Sequence, residues 1–126
     1  MTRQLALLTV FALSFGGVWF PAGADEEITP ATPAIIDGLR KGAVRHRKNA
    51  EQQLDAARVR RDLEVVARTN AMRASDPLEK RWWLEDVAGY VARAEELEDY
   101  AFNLYRQADI DDSRAARLQA ALNAGN

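Results

Sequence analysis

The sequence predicts an all-α protein: a long antiparallel helical hairpin of coiled-coil type, with an export signal before it and a short third helix after it. Three observations carry this. No stretch alternates apolar and polar residues as a half-buried strand does, and no Asn-Gly or Asp-Gly pair joins two such stretches. From Ala34 to Ala74 there is no proline, and the residues after Gly42 are dominated by Ala, Arg, Gln, Glu and Leu, all good helix formers. From Trp83 to Ala108, small and apolar residues recur at alternating intervals of four and three, the interval of one helix packed lengthwise on another.

Residues 1–24 (MTRQLALLTVFALSFGGVWFPAGA) divide into the three parts of a signal peptide. Arg3 makes the start positive, and Leu5 to Phe20 is a 16-residue run without a charge. That run is shorter than the ~20 residues a spanning helix prefers. Pro21 breaks it, and Ala22-Gly23-Ala24 offers the small side chains that signal peptidase requires. Cleavage after Ala24 and a periplasmic location are expected. The alternative is an uncleaved anchor through residues 5–20, with the remainder as an extramembrane stalk.

Residues 25–32 (DEEITPAT) are acidic and aperiodic and read as a flexible lead. The domain is then 33–126. Thr32 and Pro33 suit the N-cap and first position of a helix over 33–74. Asp76, Pro77 and Glu79 suit the cap, first and third positions of a second helix, expected over 77–108. Ala108-Asp109-Ile110-Asp111-Asp112 reads as a polar break, and 112–123 as the third helix.

The seam of the second helix comprises Trp83, Val87, Tyr90, Ala94, Leu97, Ala101, Leu104 and Ala108. Reversal at Ser75-Asp76 sets Ala43 opposite Ala108, Ala50 opposite Ala101, Leu54 opposite Leu97 and Ala57 opposite Ala94. It also brings Arg40 and Lys41 towards Asp109 and Asp111. Residues 40–81 carry a net charge of +6 and residues 85–112 one of −7, which favours antiparallel pairing. Near the turn the same register fits badly, since Arg61, Glu64 and Arg68 would face Tyr90, Val87 and Trp83. The apolar Val59, Leu63 and Val66 lie on the other side, so either the first helix rolls or a further surface covers them.

Successive helical side chains point about 100° apart, so Trp82 and Trp83 cannot share one partner. Trp83 belongs to the seam. Leu84, Val91 and Phe102 lie to one side of it, Trp82 and Tyr100 to the other. Trp82 is therefore expected at a second contact, unless it lies across the turn beneath the stems of Lys80 or Arg81. Trp82, Tyr100, Phe102, Val59, Leu63 and Val66 are the candidate interaction residues.

Catalytic and cofactor chemistry is not legible. The chain has no cysteine and one histidine, His46, with no second ligand one turn away, so no metal site is expected. HExxH, GxSxG, P-loop and GxGxxG patterns are absent. EELEDY (95–100) reads as a solvated face, and ADIDDS (108–113) lacks the glycine and closing glutamate of a calcium loop. Arg45, His46, Arg47, Lys48, Arg58, Arg60 and Arg61 are interrupted by Glu51, Asp55, Asp62 and Glu64, with Arg58–Asp62, Arg60–Glu64 and Glu64–Arg68 at i,i+4 spacing, which reads as a self-neutralised face rather than a patch for an anionic surface. A mature chain of net charge −3 argues against a nucleic-acid partner. The expectation is a non-enzyme without cofactor or small-molecule substrate. Its partner is another protein or itself, as an accessory subunit of a periplasmic or membrane complex, a self-assembling unit, or a chaperone-like client binder.

Overall fold

The computed structural model describes residues 30–125, which form two long helices, α1 (Pro33–Arg73) and α2 (Pro77–Ala124), packed against each other. At 1.5 Å per residue the helices are about 60 and 70 Å long. The expected export signal (1–24) and most of the acidic lead lie outside the described residues. Among the described residues no helix is long and apolar enough to cross a membrane.

Both helices begin on proline, whose missing N–H costs nothing in the first turn. Asp76 caps α2 from an extended backbone (φ −83°, ψ 124°), and its carboxylate accepts from the Leu78 N–H at 3.1 Å. The N–H of Gly125 donates to the Ala121 carbonyl at the far end.

The expected break at 108–112 and the separate third helix are not found, because α2 runs unbroken to Ala124. Two things hold the polar stretch in helix. Its acids have partners: Asp109 and Asp112 bind Arg47, Asp111 lies 3.5 Å from His46, and Gln107 donates to Asp111. The seam also continues past Ala108 without a change of interval, through Asp111, Ala115, Leu118 and Leu122. Ala115 and Leu118 are buried. Three aspartates in five residues masked a stripe that never stopped.

The packing is built on alanine. Ala43, Ala50, Ala57 and Ala71 stand at seven-residue steps on α1, with Glu64 in the missing place. Ala94, Ala101, Ala108 and Ala115 do the same on α2. Small side chains at every second turn let the helices approach closely along their length, the condition for knobs-into-holes contact. Ala50, Ala101 and Leu104 form one cluster, flanked by Leu54 and Tyr105, which fixes the register expected from the turn. Ile36, near the free end of α1, is the largest fully buried side chain.

Candidate interaction surface

The seam residues lie between the helices. Val87, Ala94, Leu97, Ala101 and Leu104 are buried, while Trp83, Tyr90 and Leu54 are half-buried. α1 does not roll near the turn. Glu64 keeps its seam position with 14% of its side chain exposed, and Val59 and Val66 remain 57% and 55% exposed.

Glu64 tolerates that position because cations reach it. It accepts from Arg68 at 2.9 Å and lies 3.6 Å from Arg61. The Arg68 hydrogen bond holds its carboxyl below the usual range. Arg61 in turn donates to both oxygens of Glu98, at 2.9 and 3.4 Å, which raises the guanidinium further above its ordinary value. Arg47 is raised likewise by Asp112, 2.7 Å away, and Asp109, at 3.0 Å.

These pairs correct one expectation. His46 and Arg47, rather than Arg40 and Lys41, meet Asp109, Asp111 and Asp112, and Lys41 binds Asp37 on its own helix. Helical side chains lean towards their own N-terminus. In an antiparallel pair the two leans add, so long side chains meet partners several residues beyond those at their own level.

The pairs also divide the hairpin into two faces. Arg47, Leu54 and Arg61 flank the α1 seam on one side, and Glu98, Tyr105 and Asp112 flank the α2 seam on that same side, where Arg61–Glu98 and Arg47–Asp112 bridge the helices. The opposite face carries no bridge of this set. On α1 it follows the line Asn49, Gln52, Ala56, Val59, Leu63, Val66 and Asn70, uncharged throughout and again at heptad intervals. On α2 it carries Trp82, Gly89 and Tyr100 with Asp86, Arg93 and Glu96. Shared surface hollows show that both lines belong to one face: Arg60 with Asp86, Gly89, Tyr90 and Arg93, and Asn70 and Arg73 with Glu79 and Trp83.

Of the six candidate interaction residues, this neutral face gathers five. Trp82 is 58% and Tyr100 49% exposed, Val59 and Val66 are exposed, and Leu63 is half-buried. Trp82 is not covered at the turn, since neighbouring Arg81 binds Glu85 instead. Phe102, 66% exposed, stands about 200° round α2 from Tyr100 and belongs to the ion-paired side with Leu84. Ile110, half exposed, was missed: it sits four heptads from Trp82 on the same line, and the supposed break concealed it. Met72, Val44 and Val65, all well exposed on the ion-paired side, were missed as well: they share one heptad position, but Glu51 and Arg58 fill the places between Val44 and Val65.

Among the described residues no three His, Cys, Asp or Glu side chains come together in a way that holds a metal ion. Comparison of the chain with protein-family models, curated proteins and solved structures finds no match.

Proposed function

We propose that this chain is an exported, non-enzymatic helical hairpin that works by association, as a small accessory or structural subunit of a periplasmic or membrane-associated complex or as a self-assembling unit. One observation carries the reading: the uncharged line from Asn49 to Asn70 shares a face with Trp82 and Tyr100, while ion pairs bridge the helices on the other face. A second heptad-spaced stripe that does not point at α2 is what a helix presents when it has two packing neighbours. Burying one aromatic side chain removes ~150 to 250 Å² from water. Trp82 and Tyr100 are about half exposed in the hairpin, so at ~25 cal/mol per Å² each leaves roughly 2 to 3 kcal/mol at most for association.

Export rests on the three-part pattern of residues 1–24. The intact mass of the protein recovered from its native membrane and periplasm tests it: loss of residues 1–24 supports export, and retention supports an anchored stalk.

Light scattering coupled to size exclusion tests the association, on residues 25–126 over a wide concentration range with Trp82→Ala alongside. An oligomer that Trp82→Ala converts into a folded monomer supports self-assembly. Folded monomers from both place the partner in another protein. Binding of many unrelated unfolded chains through the same face would instead favour a client binder.

A further inference from the structure

Building on the association reading above, we propose that the neutral face docks a second copy of this chain, antiparallel, about a two-fold axis that crosses α1 beside Val59 and α2 between Gly89 and Arg93, at the level of Val91. A two-fold interface sets residue i opposite j and j opposite i. A face that binds itself must therefore read similarly in both directions from one point.

The α1 line does so about Val59. Reversal there sets Ala56 opposite Leu63, a small residue against a large one, then Gln52 opposite Val66, and Asn49 opposite Asn70 at the rim. On α2 the two exposed aromatic residues of the face, Trp82 and Tyr100, exchange places if the axis crosses at the level of residue 91. These two axis positions come from different helices, and they agree. The register that packs Ala50 against Ala101 sets Arg60, the neighbour of Val59, level with Val91. One axis then satisfies both lines at once.

The charged residues of the face fit the same axis. Arg60, Glu85, Asp86 and Arg93 line one hollow beside it, Arg93 also holds Glu96 at 2.9 Å, and Arg81 holds Glu85 at 3.2 Å. With those partners counted, each group carries three cations and three acids. Two like-charged pairings remain: Arg45 opposite Arg73 at the rim, with Glu79 in the same hollow as Arg73, and Asp86 opposite Glu96, where Arg93 shares a hollow with Asp86 and binds Glu96. The parallel alternative, with both turns at one end, is worse at the centre. It sets Val59 on Arg93 and Val66 on Asp86, apolar side chains against charges.

The size suits a homodimer of modest stability. The stretch Asn49 to Asn70 is 22 residues, ~33 Å long, and two helices are ~20 Å wide, so roughly 650 Å² of each copy is covered, against ~800 Å² in a standard interface.

The chain has no cysteine, so a single introduced thiol reports one position. Full-length chains carrying Val59→Cys, or Val65→Cys as an exposed control on the ion-paired face, are expressed in cells and oxidised. A disulfide needs Cα atoms about 4.4 to 6.8 Å apart. The expected result is a cross-linked species of twice the chain mass for Val59→Cys, at least tenfold more abundant than for Val65→Cys, and abolished by adding Leu63→Glu. Cross-linking of Leu63→Cys chains to Gly89→Cys chains without any Val59→Cys dimer overturns the antiparallel axis. Equal, weak cross-linking at positions 59 and 65 overturns the second copy as occupant. In that case a photo-cross-linker at Trp82 that captures a different protein shows that the association reading stands while this inference fails.

Discussion

Arg61 on α1 donates from Nε to Glu98 on α2 at 2.9 Å and stands 3.6 Å from Glu64 on its own helix. One guanidinium thus joins the carboxylate lodged in the seam to the one that closes the face. The fork shape matters, since the point charge of a lysine does not reproduce the two-point contact with Glu98. Arg61→Gln is expected to lower the midpoint of thermal unfolding followed by circular dichroism, and Arg61→Lys to restore little of it. The difference from wild type should shrink as salt is raised. An unchanged midpoint at low salt would remove this pair from the account of the fold.

Acid should act through Glu64. Its carboxyl titrates lower in the folded chain than its ordinary value of 4.5, chiefly because Arg68 donates to it. A group with a depressed folded value contributes stability that is present above its unfolded value and is lost as pH falls through the folded one. Between neutrality and about pH 3, wild type is therefore expected to lose more stability than Glu64→Gln. Parallel denaturant titrations at several pH values measure this, and superimposable pH profiles would contradict it.

The continuity of α2 is open to a single proline. If a helix began near Ser113, a proline there would occupy its first turn at little cost. Inside a continuous helix it removes a hydrogen bond and clashes with the preceding turn, at ~3 kcal/mol. Ser113 is exposed, so the change disturbs little else. Ser113→Pro is expected to destabilise by about that amount in urea unfolding, and tolerance of it would restore the break.

Gly38 weakens the first turns of α1, and nothing lies within 4 Å of where its Cβ would be. Gly38→Ala is expected to stabilise the hairpin by about 0.5 to 1 kcal/mol through helix propensity alone. Amide hydrogen exchange over residues 34–42 should slow in the same variant. Faster exchange there would mean that the glycine serves a contact this hairpin does not contain.

Helix class, the turn at Ser75-Asp76, the seam from Trp83 to Ala108 and the alanine register were all legible in the sequence, because a period of 3.5 and a proline-marked cap are local signals. Two things were not. The helical state of Asp109 to Asp112 depends on His46 and Arg47, more than sixty residues away, and charge density in one strip of sequence says nothing about partners on another helix. Phe102 and Tyr100 fall on opposite flanks by helix geometry alone, but which flank carries the ion pairs depends on the direction the arginines take, and the lean of long side chains moved those pairings off the simple register. The neutral line from Asn49 to Asn70 was visible only through Val59, Leu63 and Val66. Its polar members look like ordinary surface until the ion pairs identify the face.

Ile36, the largest fully buried side chain, sits near the end where the two helices are not joined, far from the covalent turn. The hairpin is in this respect a zipper stitched at one end and clasped at the other. Closure begins at the stitched end, where little chain entropy is lost, and proceeds through small, similar alanine steps. Opening has no such gradient to follow, except that the free ends fray first. A bulky side chain buried at the loose end opposes that fraying, so peeling from the free end costs more than the alanine steps alone would demand.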